Sequence, residues 1–328
     1  MLKPTTRRLL LATIALLSAP GISITAARAD SPSAPVTFDR DDDAGQLTVL
    51  IDGKEAFVYQ YGPEVDLTHI WPLRSPSGKN MLTQQADPFP HHRAFWFADT
   101  VQLDGGRRAR FYDALYTGAD RRPPFRDRIR HDAFSALEPG KVGAYREKLV
   151  WTMDHDVPVL DERRDVRIVP LGKGEYLLDI TFTLTAAHGD VAFVSDAVHY
   201  AWPYLRINET FNGQHGGTIT NDRGQTGQKE TNMQPARWVD YSNTVDGMTE
   251  GLAVFQWPDA DSQPRRWLTR EYGTFGPRRP DAQSGKPFTV AEGKSLSQRV
   301  GVLVHRGDVE TGRVAERYEQ YVEGRMGQ

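Results

Sequence analysis

The sequence predicts a mainly β protein, a large antiparallel two-sheet β-sandwich carrying one helix near its C-terminus. Three observations predict it. Short runs rich in Val, Ile, Phe, Tyr and Thr follow one another closely, separated by Gly, Asp and Pro turn signals. No helical pattern alternates with them, which argues against a parallel α/β arrangement. About 300 residues beyond the leader can bury a large core, in one big β domain or two smaller ones.

The chain opens on a segment that stands outside this fold. Lys3, Arg7 and Arg8 precede an apolar run from Leu9 to about Thr25, and Ala27-Arg28-Ala29 fits a small-x-small cleavage site. Residues 1–29 therefore read as a secretory signal peptide and residues 30–328 as a single mature domain. Arg7-Arg8 also has the paired arginines of a twin-arginine signal. Pro20-Gly21 interrupts the run, and no later apolar run is long enough to cross a bilayer. The expectation is a periplasmic or secreted protein with no membrane segment after cleavage. The net charge is −3, and the leader holds four basic residues and no acids, so the mature part is more acidic still. That balance gives no electrostatic footprint for nucleic acid. Cysteine is absent, which excludes disulfides, thiolate catalysis and cysteine-bound metals.

Along the mature chain, Leu47 to Ile51 ends at Asp52-Gly53, a strong hairpin signal, and Phe57 to Tyr61 follows directly. His69-Ile70-Trp71-Pro72-Leu73 is a further short strand. Arg126 to His131, Glu147 to Met153, Val166 to Val169, Tyr176 to Leu184 and Val191 to Val194 continue the series. Asn212 to Asn232 is rich in Gly, Asn, Thr and Gln, and reads as a long polar loop. Strands resume at Ala236 to Tyr241, Gly251 to Gln256, Trp267 to Phe275, Phe288 to Val290 and Leu296 to His305. The helix follows, with Asp308 as its expected cap and Val314, Tyr318, Tyr321 and Val322 at helical spacing. At this length a supersandwich of the galactose-mutarotase type fits best.

The chemistry-bearing stretch is Pro88-Phe89-Pro90-His91-His92-Arg93-Ala94-Phe95-Trp96-Phe97-Ala98-Asp99. Its two prolines keep the chain extended, and the aromatic run reads as a buried strand. His91 and His92 then stand at the mouth of that strand, pointing to opposite faces. His199 and Asp196 lie on another candidate strand. Trp267 to Pro277 mixes aromatics with Arg270 and Tyr272, and Trp238-Val239-Asp240-Tyr241 has the same character. Such segments stack against sugar faces and neutralise carboxylates, although packed strands look alike. There is no HExxH, GxSxG, Walker or GxGxxG motif. Histidines on separate strands, with Asp99 or Asp196, leave a divalent metal open as an alternative. No motif calls for a cofactor.

Pro90 to Ala98, Arg237 to Tyr241, and Trp267 to Gly276 followed by Val304-His305-Arg306-Gly307-Asp308 resemble, in the same order, the family labelled "methane oxygenase PmoA". The resemblance covers most of the mature chain. It implies an exported β-rich protein associated with sugar degradation. Methane oxidation is not expected, because a particulate methane monooxygenase subunit spans the membrane several times and this chain has no apolar run long enough for one span after its signal peptide.

The leading expectation is an exported enzyme that cleaves a glycosidic bond, as a lyase or a hydrolase. In elimination, His92 or His91 takes a proton, Arg93 or Arg270 pairs with a uronate carboxylate, and Tyr241 or Tyr272 donates to the leaving oxygen. Hydrolysis needs two carboxylates, with Asp99, Asp196 and Asp240 as candidates. Trp96, Asp99, Trp238, Asp240 and Trp267 are the expected substrate-binding residues, and no metal ligand is assigned. The alternatives are a noncatalytic carbohydrate-binding protein and a metal-dependent oxidoreductase or isomerase with histidine ligands.

Overall fold

The meander that starts the structure follows from local turn chemistry. Strands β1 (Val36–Asp41), β2 (Gln46–Ile51) and β3 (Lys54–Gln60) pair in succession. Asp52 and Gly53 between β2 and β3 both have positive φ, at 50° and 73°, as a two-residue hairpin turn requires. The computed structural model describes residues 35–111, 123–194, 201–258, 263–279 and 288–327. The expected signal peptide, Asp196 and His199 lie outside the described residues.

β4 (His69–Leu73) pairs with β3, and β5 (Phe95–Trp96) with β4. β6 (Thr100–Leu103) and β7 (Arg108–Arg110) form a hairpin. Four long strands come next: β8 (Arg128–Glu138), β9 (Gly143–Met153), β10 (Val157–Gly172) and β11 (Glu175–Thr185). Then come β12 (Val191–Phe193), β13 (Tyr204–Arg206), β14 (Thr218–Asn221), β15 (Trp238–Val245) and β16 (Met248–Gln256). The last strands are β17 (Trp267–Thr269), β18 (Thr274–Pro277), β19 (Phe288–Val290) and β20 (Ser295–Arg306). A five-residue helix α1 (Gly227–Thr231) precedes β15, and α2 (Val314–Val322) closes the chain.

Two eight-stranded sheets make the sandwich. The first runs β1-β2-β3-β4-β5-β13-β18-β17 and the second β14-β15-β16-β20-β11-β10-β9-β8. All pairings between these strands are antiparallel. A third sheet, β19-β12-β6-β7, adds to the two-sheet expectation. It packs on the sandwich through Phe193, whose ring is 5.2 Å from that of Trp202.

Ring contacts locate the core between the two large sheets. Phe97 stacks on Phe182 at 4.4 Å, Tyr59 meets Tyr145 at 5.8 Å, and Phe275 meets Tyr241 at 4.5 Å. A polar link crosses the same layer. Buried Arg164 on β10 pairs with Glu162 and donates to Tyr59 Oη and Thr68 Oγ1, both at 3.1 Å. A buried guanidinium needs such partners to offset its desolvation.

The far side of the second sheet is covered by α2. Its Tyr318 and Tyr321 rings lie 5.6 and 5.7 Å from Phe255. Asp308 is not the helix cap. Its carboxylate accepts from Glu310 N, Thr311 N and Thr311 Oγ1, building the turn before the helix, and Arg313 holds the cap position at φ 55°. On the same side, His305 Nε2 is 2.7 Å from Asp240 Oδ1, with both side chains fully buried. Gly251 makes room for this pair, since a Cβ there meets the His305 ring at 2.5 Å. Gly251→Ala is expected to lose about 1–3 kcal/mol of stability by overpacking, measured by urea denaturation.

The polar segment from Asn212 to Asn232 is not one long loop. It holds a 3-10 turn at Gly213–His215, strand β14 and helix α1. Glu271 anchors it, because its Oε1 accepts from Gln228 N at 2.7 Å and its own N donates to Gln228 Oε1 at 2.8 Å.

Candidate functional site

The face of the first sheet that looks away from the core follows from strand alternation. Leu205 and Phe275 are paired across β13 and β18, and Phe275 touches the second sheet, so both point inward. Tyr204, Arg206 and Thr274 therefore point outward. By the same reasoning Phe95 points inward with Phe97, and Trp96 points outward. Trp96 stacks on its cross-strand partner Tyr204 at 4.8 Å and 10°.

His91 and His92 lie over this outward face in a turn, rather than on a strand. His92 N donates to Phe89 O at 3.0 Å, and Gln85 N donates to His92 O at 2.8 Å, so the proline-rich segment closes on itself. The turn brings the two rings together, 4.4 Å apart, instead of sending them to opposite faces. His92 stacks on Phe89 at 4.9 Å and lies 5.5 Å from Trp96. Its Nδ1 is 3.4 Å from Thr274 Oγ1. Tyr272, in the β17–β18 turn, is 5.3 Å from Phe89 and 6.5 Å from His92.

Electrostatics keep both rings neutral. Burial, with the Arg93 guanidinium nearby, lowers His91 to about 4. Burial, His91 and Arg206 lower His92 to about 2. A neutral imidazole carries one unprotonated ring nitrogen, the form a proton acceptor needs. His69, beneath them on β4, is a different case. Its Nδ1 lies 3.0 Å from Leu67 O and its Nε2 2.8 Å from the Gln84 side-chain amide. Burial lowers it to about 4, and it serves as an internal post.

The expected site residues divide into three groups. His91, His92, Trp96 and Tyr272 come together. Arg270 is on the same turn as Tyr272, but its Nη1 donates to Asn232 Oδ1 at 2.7 Å and to Thr269 O at 3.1 Å. Four others are built into the interior. Arg93 is 5% exposed and forks onto buried Asp66, which ties the histidine turn to the start of β4. Tyr241 is fully buried. Its Oη donates to Arg270 O at 2.9 Å and accepts from Arg270 N at 3.2 Å, and burial drives the phenol far above its usual range. Asp99 accepts from Trp202 Nε1 at 2.9 Å and Thr100 N at 2.6 Å. Trp267 donates from Nε1 to Ala236 O at 2.7 Å. Trp238 and Asp240 form the third group. They alternate with inward Tyr241, so they lie on the α2 side of the second sheet, across the sandwich from the histidines.

Sequence reasoning missed Phe89, Tyr204, Thr274 and above all Arg206. Arg206 is 6% exposed, its Nη1 donates to Thr274 Oγ1 at 3.2 Å, and its guanidinium lies 4.2 Å from the Tyr272 ring centre. The available signal was an arginine at the end of the apolar run Ala201-Trp202-Pro203-Tyr204-Leu205, where a charge is out of place. Among the described residues, no group of three or more His, Asp or Glu side chains is arranged to hold a metal ion. No helix among them is long and apolar enough to cross a membrane.

Fold and site together define an antiparallel β-sandwich protein in which a largely buried cluster of His91, His92, Trp96 and Arg206 lies on the outward side of one sheet, beside half-buried Phe89 and Tyr272. The chain belongs to the family described as a family of unknown function, DUF6807, whose model matches residues 46–319. No curated protein matches the chain. Similar solved structures include the GH36 alpha-galactosidase AgaB from Geobacillus stearothermophilus, at 8% identity and a TM-score of 0.43, covering 83% of this chain and 41% of that one. Heparan sulfate lyase HepC from Pedobacter heparinus is similar at 10% identity and a TM-score of 0.39, over 83% of this chain and 37% of that one. Galactose 1-epimerase from Lactobacillus acidophilus NCFM is similar at 8% identity and a TM-score of 0.37, over 84% of this chain and 100% of that one. The chain thus spans about two fifths of the length of the galactosidase.

Proposed function

We propose that this protein is an exported carbohydrate-active enzyme that cleaves a glycosidic bond by β-elimination, with His92 as proton acceptor. The observation that carries the reading is the pair of neutral imidazoles 4.4 Å apart, set among the rings of Phe89, Trp96 and Tyr272. Trp96 is 1% exposed and forms the floor, while Phe89 and Tyr272 are half-buried and present aromatic faces of the kind that suit the apolar face of a pyranose. In the step proposed, His92 removes the proton on the sugar carbon next to an electron-withdrawing group. The electron pair forms the new C=C bond, the C–O bond to the leaving sugar breaks, and that oxygen receives a proton from Tyr272. Hydrolysis draws less support. It needs two carboxylates facing each other across the sugar. Of the candidates among the described residues, Asp99 is interior, and Asp240 lies on the opposite side of the sandwich.

A noncatalytic carbohydrate-binding protein is the second reading. The low basicity of His91 and His92 favours it, because a weak base is a poor proton acceptor. Incubation of the protein with a panel of acidic and neutral polysaccharides separates the two. Elimination gives the ultraviolet absorbance of an unsaturated uronate together with new chain ends. New reducing ends without that absorbance mean hydrolysis. Binding with neither signal on any polymer overturns the enzyme reading.

A further inference from the structure

We propose that Arg206 is the anion receptor of this site, and that the ligand carries a carboxylate which its guanidinium pairs with beside His92. The proposal rests on the functional reading for the sugar, and on the structure of Arg206 alone for the charge.

Arg206 stands apart from the other buried arginines whose partners have been described. Arg93 has Asp66, and Arg164 has Glu162. Among the described residues, the Arg206 guanidinium meets a hydroxyl and an aromatic face, the Thr274 Oγ1 and the Tyr272 ring. Among the described residues, no group hydrogen-bonds its buried Nε and no carboxylate contacts the guanidinium. A buried charge without a counter-ion is costly, and a folded protein keeps one where a ligand supplies the opposite charge. Burial lowers the Arg206 pKa, and the nearby phenols of Tyr272 and Tyr241 only partly offset it. The guanidinium fork matches a carboxylate with two parallel hydrogen bonds. Half-buried Tyr272 lies over it, so a sugar resting on the Tyr272 and Phe89 rings brings its carboxylate close by.

The placement also joins binding to chemistry. Arg206 is one of the groups that depress His92. A carboxylate on Arg206 neutralises that repulsion, so His92 becomes a stronger base when an acidic ligand is present. The same contact acidifies the carbon next to the carboxylate, by stabilising the enolate-like charge that forms when its proton leaves.

The test is binding of D-glucuronate, D-galacturonate, D-mannuronate and acetate, each uronate set against its parent aldose, to the whole protein by calorimetry. Wild type, Arg206→Lys and Arg206→Gln are compared, with thermal melts to confirm folding. The expected result is a preference of at least about tenfold for one or more anions over the neutral partner, a factor equal to one charge-assisted contact. That preference falls to near unity in Arg206→Gln and is partly kept in Arg206→Lys. A preference that survives in Arg206→Gln, or no anion preference in the wild type, overturns the proposal. If Arg206→Gln does not fold, the wild-type preference and its weakening in Arg206→Lys decide. Equal binding of sugars with and without the carboxylate sinks the anion receptor and leaves the carbohydrate reading standing. Binding of acetate through Arg206, with no sugar bound beyond it, does the reverse.

Discussion

Alanine in place of His92 is expected to lower the elimination rate by about 10²–10⁴-fold, the contribution typical of a positioned general base. KM should change far less, because sugar binding rests on the surrounding rings and on Arg206. The assignment to His92 over His91 follows from position. His92 stacks between Phe89 and the Trp96–Tyr204 pair, faces Thr274, and is the imidazole on which Arg206 acts. His91 is influenced by Arg93, whose charge is already balanced by Asp66. His92→Gln keeps a polar side chain of similar reach and serves as the folding control. Turnover within a few-fold of wild type in His92→Ala removes the proposed base. A binding protein predicts unchanged affinity in the same variant, so rate and affinity measured together distinguish the two readings.

The second large effect is loss of stability in acid. His69, His91 and His92 are held below their ordinary value of 6.5, at about 4, 4 and 2. The unfolded chain takes up protons at these positions as pH falls through 6.5, while the folded protein does not. Their contribution is therefore fully present above 6.5 and declines as pH falls, until each folded value is reached. For fully buried His69 the shift corresponds to about 3 kcal/mol by pH 4. Urea denaturation of wild type and His69→Gln between pH 7 and pH 4 checks this. The glutamine variant loses the hydrogen-bond geometry at every pH but cannot titrate. Its stability curve should therefore be flatter than that of wild type by about that amount. Parallel curves would show that His69 takes up its proton in the folded protein as it does in the unfolded chain.

Local signals in the sequence carried most of the fold. Asp52-Gly53 dictates its hairpin through backbone conformation alone, and the spacing of Val314, Tyr318 and Tyr321 places them on one helical face. What local pattern could not carry was pairing at a distance. The Gly- and Asn-rich segment before Asn232 looks like a loop, because β14 exists only by pairing with β15, and α1 is held by Glu271. A stretch with little to bury gives no hint of either. The candidate site shows the same division. The His91–His92 motif was legible because its composition is unusual. That Arg93 has a structural partner was not, because Asp66 belongs to a distant part of the chain. Arg206 became visible only once β13 was placed between β5 and β18, which fixes the face it shares with Trp96, Tyr204 and Thr274. Trp238 and Asp240 looked like binding residues by type, and sheet alternation puts them behind the core.

The most direct measurement is a crystal structure of the His92→Ala protein with an acidic oligosaccharide that the wild type degrades. The account predicts one sugar ring lying on Tyr272 and Phe89, its carboxylate on the Arg206 guanidinium, and the adjacent C–H facing the space vacated by His92. A sugar bound beside Trp238 and Asp240, or anywhere that leaves the His91–His92 turn and Arg206 untouched, would contradict it.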